Sequence, residues 1–183
     1  MKINNDIQKY LLQNNIILIG FMGSGKSYFG DYLASFLQNK LIDTDKLIET
    51  AENMPISDIF KIKGENYFRL QEKKVLQDIV FTSDENEKII LVTGGGLPLK
   101  KANQKLLKLL NPLIICLNPP FEVILSRIRG TKRPMVYRRS RKYIFNLWAI
   151  RYAVYQKIAH ISISEESIEG IIQALNERVR LYM

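Results

Sequence analysis

Residues 20–27 read Gly20-Phe21-Met22-Gly23-Ser24-Gly25-Lys26-Ser27, and they follow directly on the apolar run Ile16-Ile17-Leu18-Ile19. An octet of the form G-x-x-x-x-G-K-[ST] needs a strand that stops, a turn through glycines, and a helix whose first N–H groups point at phosphate oxygens. The residues downstream supply that helix, because Phe29, Leu33, Phe36 and Leu37 recur at i, i+4, i+7 and i+8. A nucleoside triphosphate is therefore the expected ligand. Gly23, Ser24 and Gly25 would wrap its phosphates, Lys26 would reach the β- and γ-phosphates, and the Ser27 hydroxyl would ligate Mg²⁺.

Outward from this loop the chain alternates short apolar runs with longer helical patterns, the signature of an α/β fold. Strands are expected at 15–20, 40–43, 88–92, 112–117 and 159–163. Helices are expected near 26–39, 45–53, 56–62, 65–81, 99–110, 120–128, 142–158 and 165–180. The near-continuous Ile/Leu/Val character of 16–19, 89–92 and 113–117 suits strands covered on both faces, hence a central parallel sheet with ligands at its carboxyl edge. Pro55, the pair Pro119-Pro120, and Ser164 ahead of Glu165-Glu166 mark helix starts. Residues 130–142 have no clean period and carry a proline and many charges, which suits a mobile lid.

The 183 residues form about one domain, 1–183, with a core large enough to need no disulfide staple. Cys116 is the one cysteine, so no disulfide framework and no cysteine-based metal site can be assembled within the chain. Residues 1–15 are polar without an apolar core of signal length, and no membrane-spanning run occurs, so a cytoplasmic location without membrane attachment is expected. The formal charge is +9. Arg127, Arg129, Lys132, Arg133, Arg138, Arg139, Arg141 and Lys142 cluster within one segment. No recognisable RNA-binding motif accompanies them, so nucleic acid is not the expected partner; a protein that handles a polyanionic nucleotide needs cations of its own.

The acceptor of the phosphoryl group must be read from the other strand ends. After the second strand comes Leu41-Ile42-Asp43-Thr44-Asp45. If the extended geometry persists, Asp43 and Asp45 point to one side, one toward hydrated Mg²⁺ and the other toward a hydroxyl substrate; capping of the next helix by Asp45 or Thr44 is the plainer alternative. Gly64-Glu65-Asn66-Tyr67-Phe68-Arg69-Leu70-Gln71-Glu72 begins a helix on which Arg69 can face a carboxylate with Glu72 holding it, or merely pair with Glu65 on the surface. Thr93-Gly94-Gly95-Gly96 after the third apolar run clears side chains from a strand end, so that backbone groups can approach a small ligand. His160 and Trp148 read as packing residues.

In this order and combination the motifs resemble the shikimate kinase family: the loop at 20–27, Asp43-Thr44-Asp45, G-E-x-x-F-R-x-x-E at 64–72, Thr93-Gly94-Gly95-Gly96, Arg133-Pro134, and Arg151-x-x-x-Tyr155. The resemblance spans about residues 15 to 160. It implies a three-layer P-loop kinase fold with a five-stranded parallel sheet of order 2-3-1-4-5 and a lid, ATP and shikimate as substrates, and Mg²⁺ as cofactor; a monomer is the expectation for the assembly. It assigns the shikimate carboxylate to Arg69 and Arg151, with Arg133 swinging in from the lid. Asp45 would bind the ring hydroxyls, Gly95 would line the substrate pocket, Asp43 would stand on the magnesium side through water, and Arg127 would lie near adenine. Tyr28 would complete the nucleotide contacts. Lys26, Asp45 and Arg133 are the expected catalytic residues. Tyr28, Met135-Val136 and Lys157 depart from the family's usual choices without removing an expected ligand. The alternatives are a gluconate or nucleoside monophosphate kinase of the same type, and a silent ATP-dependent module whose basic segment docks on an acidic partner or nucleic acid.

Overall fold

A computed structural model describes residues 3–84, 86–131 and 133–183; Lys132, part of the basic run and of the expected lid, lies outside them. In chain order the elements are α1 (Asn5–Leu12), β1 (Asn15–Ile19), α2 (Lys26–Leu37), β2 (Lys40–Asp43), α3 (Thr44–Glu52), α4 (Ile56–Ile62), α5 (Gly64–Thr82), β3 (Ile89–Val92), α6 (Lys101–Leu109), β4 (Pro112–Leu117), α7 (Phe121–Ile128), α8 (Arg141–Ile158), β5 (Ile161–Ile163) and α9 (Ile168–Arg178). Short 3₁₀ turns cover Leu97–Leu99 and Val179–Tyr182.

The strands form one parallel sheet of order β2-β3-β1-β4-β5. Strand β1 sits in the middle, with Leu18 opposite Val92 on one side and Ile115 on the other. Side chains alternate across the sheet, so each apolar strand feeds two cores. Ile16 and Leu18 pack with Phe29 and Leu33 of α2 and with Ile172 and Leu175 of α9. Ile17 and Ile19 point the other way, into a core with Leu76 of α5, Leu107 of α6, Ile124 of α7 and Tyr155 of α8. Helices on both faces make three layers, and the loop at 20–27 leaves the central strand at its carboxyl end, where the strand order reverses.

Three expectations are corrected, and the segment expected as a lid has local structure of its own. Residues 5–12 form a helix that the polar composition of the N-terminus concealed: Ile3, Ile7 and Leu11 are buried in the first core, and Asn4 caps the helix by accepting from Asp6 N–H at 2.9 Å. The last helix starts at Ile168 rather than near 165. Ser167, not Ser164, provides the cap, accepting from Gly170 N–H at 3.1 Å. The expected helix at 99–110 begins at Lys101, after the 3₁₀ turn that carries Pro98. Within the expected lid, Arg133 O accepts from Val136 N–H at 3.1 Å and Tyr137 N–H at 2.8 Å, making a helical turn. Val136 is buried in the second core beside Leu125 and Ile144. The other expected elements agree to within about two residues, the usual scatter of helix and strand ends.

His160 is structural, as expected. Its Nδ1 accepts from Ile114 N–H at 2.9 Å, and burial together with Lys108 lowers its pKa, keeping that nitrogen free to accept. Trp148 packs among Phe121, Phe145 and Tyr152, with its indole N–H donating to Asn118 Oδ1 at 3.1 Å. Among the described residues no helix is long and apolar enough to cross a membrane.

Candidate active site

A cleft of about 800 Å³ opens along the carboxyl edge of the sheet. Its floor at one end is the loop after β1. Gly25 takes φ 95° as it opens α2, a left-handed conformation that glycine adopts without a Cβ penalty. Lys26 is 8% exposed, and its Nζ donates to Gly20 O at 3.0 Å, Phe21 O at 2.9 Å and Ser24 Oγ at 3.4 Å. Burial pushes its pKa down to about 8, with Asp45 working against that fall and Arg133 adding to it. Ser27 Oγ donates to Asp43 Oδ2 at 3.1 Å. Tyr28 is 71% exposed at the rim. Arg127 reaches across the loop from α7, donating to Gly23 O at 3.3 Å and Glu166 O at 3.4 Å.

The acceptor end is built from three elements around Gly94–Gly96. Strand geometry stops at Asp43, which caps α3 by accepting from Asp45 N–H at 3.0 Å and Lys46 N–H at 3.4 Å. Asp43 and Asp45 both line the cleft, but Asp45 does so from the first turn of the helix, so the extended geometry does not persist. The cap is also neither of the two residues expected, because the carboxylate at the strand end is the one that meets the orphan N–H groups. Asp45 Oδ1 is buried without a hydrogen-bond partner. Burial raises the Asp45 pKa to about 6, with Asp43 adding to the rise and Lys26 opposing it.

Arg69 on α5 makes both expected pairs. Its Nη1 donates to Glu72 Oε2 at 2.7 Å, while Nη2 and Nε donate to Glu65 Oε1 at 2.9 and 3.2 Å. Glu72 is 1% exposed, and its Oε1 has no partner. Burial pushes its pKa up to about 7 against the attraction of Arg69. Arg151 on α8 is 3% exposed, with its guanidinium 5.6 Å from the centre of the Phe21 ring and its Nε unpartnered. Burial lowers the pKa of Arg151 as well. The buried Arg151 with an unpartnered Nε, and the two orphaned carboxylate oxygens Asp45 Oδ1 and Glu72 Oε1, line one cleft and leave it incomplete without a polar occupant.

The residue matches extend beyond this cleft. The family model for shikimate kinase matches residues 22–180. The chain belongs to the shikimate kinase family. Two relatives match it over nearly their whole length. The shikimate kinase of Dehalococcoides mccartyi is 36% identical over 174 residues, covering 93% of this chain and 96% of that protein. That of Sulfurihydrogenibium sp. is 39% identical over 170 residues, covering 90% and 99%. Among solved structures, shikimate kinase from Acinetobacter baumannii in complex with shikimate superposes with a TM-score of 0.81 at 28% identity, covering 96% of this chain and 97% of that one. Membership in the shikimate kinase family makes the chain an ATP-dependent kinase.

Every site residue expected from the sequence lines or borders the one cleft. Gly23, Ser24, Gly25, Lys26, Ser27, Tyr28, Asp43, Asp45, Arg69, Gly95, Arg127, Arg133 and Arg151 are all on its wall. Arg133 is exposed, and its charge acts on both Lys26 and Asp45. Four supporting residues were not named among the expected site residues. Thr44 is fully buried and accepts from Gly94 N–H at 2.9 Å. The Tyr155 hydroxyl donates to Gly95 O. Gly94 and Gly96 matter as much as Gly95: a Cβ on Gly94 would stand 2.3 Å from Asp45 Oδ1, and one on Gly96 would stand 2.0 Å from Arg69 Nη1. The run of three glycines carried that signal, since a turn alone needs one.

Proposed function

We propose that this protein transfers the γ-phosphoryl group of ATP to the 3-hydroxyl of shikimate, giving shikimate 3-phosphate and ADP. The observation that carries the reading is the pairing, in one cleft, of a phosphate loop with a compact set of Asp45, Arg69 and Arg151 around a glycine-cleared strand end. This set suits a small hydroxylated carboxylic acid. The planar guanidinium groups of Arg69 and Arg151 take the carboxylate, and the orphaned Asp45 Oδ1 accepts a hydrogen bond from a ring hydroxyl.

Phosphoryl transfer passes through a loose transition state, so the protein's work is positioning and charge neutralisation. The 3-oxygen of shikimate bonds to the γ-phosphorus as the bond to the β–γ bridging oxygen breaks. Asp45, largely ionised above its pKa of about 6, orients the hydroxyl and takes up its proton as the new bond forms. Lys26 turns from the carbonyls of Gly20 and Phe21 to the phosphates, and Arg133 adds a second cation from the lid. Arg127 borders the adenine side, and Tyr28 the rim of the nucleotide site.

The hydroxyl of Ser27 beside the Asp43 carboxylate is a hard-oxygen pair that fits Mg²⁺, which keeps most of its waters and takes few protein ligands. Among the described residues no cluster of three or more His, Cys, Asp or Glu could hold a metal by itself. When bound, Mg²⁺ supplies neutralisation of the charge on the phosphate oxygens. Ser27 would ligate it directly and Asp43 through water. The protein would act as a cytoplasmic monomer, a single kinase domain over 1–183 with the lid at about 130–142.

The test mixes protein, ATP, Mg²⁺ and shikimate, and follows ADP release together with the mass of the product. Gluconate and nucleoside monophosphates run in parallel as acceptors. Shikimate-dependent ADP with a phosphorylated product supports the reading. Folded, ATP-binding protein that turns over only another acceptor overturns it.

A further inference from the structure

The glycine triplet and the threonine before it meet each part of the site by a different contact. Upstream of it, Thr93 donates from its backbone N–H at 3.1 Å and from Oγ1 at 3.2 Å to Leu18 O, in the strand that leads into the phosphate loop. Gly94 N–H donates to Thr44 Oγ1 at 2.9 Å, next in sequence to Asp45. Gly95 O accepts from the hydroxyl of Tyr155, one turn along α8 from Arg151. Gly96 lies so close under the Arg69 guanidinium that no Cβ could intervene. Gly95 also backs the phosphate loop itself, since a Cβ there would lie 3.3 Å from Gly20 O.

We propose that Thr44 and Tyr155 are positioning residues for phosphoryl transfer: through Gly94 and Gly95 they hold the acceptor-binding side chains at a fixed separation from the phosphate loop. Neither group needs to touch substrate. Thr44 is enclosed, and the hydroxyl of Tyr155 is engaged by the Gly95 carbonyl and by the Arg151 side chain. Each instead clamps a segment that has no side chains of its own to define its place. Glycine is the most conformationally free residue, so three in a row are held only by what their N–H and C=O groups bond to. A misplacement of about 1 Å between reacting groups can cost on the order of 100-fold in rate, so loosening this segment should appear in kcat before it appears in stability. The inference rests on the proposed shikimate kinase activity.

The experiment compares Tyr155→Phe, which keeps the ring and removes one hydroxyl, with Thr44→Val and Thr44→Ser. The last restores the acceptor that Val lacks. Steady-state kinetics in both substrates are read beside amide hydrogen exchange of residues 93–96 in the substrate-free protein. The expected result is a kcat lower by about 10-fold or more in Tyr155→Phe and Thr44→Val, with KM for ATP within about twofold and faster exchange of the triplet. Thr44→Ser should recover most of the lost turnover. Turnover of Tyr155→Phe and Thr44→Val within about threefold of the parent overturns the proposal, as does equal damage in Thr44→Ser and Thr44→Val. A parent protein that does not phosphorylate shikimate defeats the proposed function instead. The exchange data then decide the inference alone: unchanged protection of Gly94 and Gly95 in the variants overturns it.

Discussion

Replacing Glu72 by Gln should make the substrate-free protein more stable at alkaline pH while weakening its hold on shikimate. Glu72 is almost completely buried, one oxygen pairs with Arg69 and the other has no partner. Burial raises its pKa from 4.5 to about 7. Between those two values the folded protein retains a proton that the unfolded chain has released, so stability is fully present below the lower value and is lost as pH rises through the upper one. From about pH 5 to about pH 8 the loss attributable to this carboxyl is on the order of 2–3 kcal/mol. Gln keeps the shape and an acceptor for Arg69 but does not ionise, so the variant should lack this loss. Urea unfolding of both proteins at the two pH values measures it: the stability difference, variant minus parent, should grow by about 2–3 kcal/mol toward alkaline pH. The KM for shikimate should rise, because Arg69 loses the charge that holds it in place. Parallel pH profiles of stability for parent and variant, agreeing within about 1 kcal/mol, would refute the claim that Glu72 is held against the solvent's preference.

Other outcomes are equally definite. With Asp45 at about 6 and Lys26 at about 8, kcat/KM for shikimate should rise through the first value and fall through the second, since the carboxylate must be ionised and the ammonium charged. Asp45→Asn should remove the acid limb and lower kcat by about 100-fold or more; activity within a few-fold of the parent would show that the carboxylate is dispensable. Gly96→Ala should raise the Kd for shikimate by roughly 10-fold or more, because the new methyl would stand 2.0 Å from Arg69 Nη1, and isothermal titration reads this directly. Leu11→Ala should cost about 2–5 kcal/mol in chemical unfolding with kcat unchanged, because its side chain is sealed in the first core, remote from the cleft.

Much of this was legible in the chain because the signals are local. The strand before residue 20, the helix after residue 25 and the apolar runs of β3 and β4 follow from periodicity and from what a phosphate loop demands of its neighbours. What escaped depends on distant partners. The N-terminal segment offered Ile3, Ile7 and Leu11 at helical spacing, a thin apolar stripe that becomes decisive once α2 and α9 lie beside it. Asp43 and Asp45 were placed on one side by an argument from strand alternation. They reach the same cleft because the first carboxylate ends the strand by capping the helix that carries the second. Tyr155 and Gly95 are 60 positions apart, and no local rule joins them.

The hydrogen bonds of Lys26 have a consequence for the catalytic cycle. Its ammonium already holds two backbone carbonyls and a hydroxyl, so under the proposed role of Lys26 an arriving nucleotide would gain this cation only by trading those partners. Binding is thereby an exchange, weaker than a bare charge in a dry pocket would make it. In the proposed cycle the same trade would run backwards after transfer: as ADP leaves, the carbonyls of Gly20 and Phe21 would be at hand to receive the lysine.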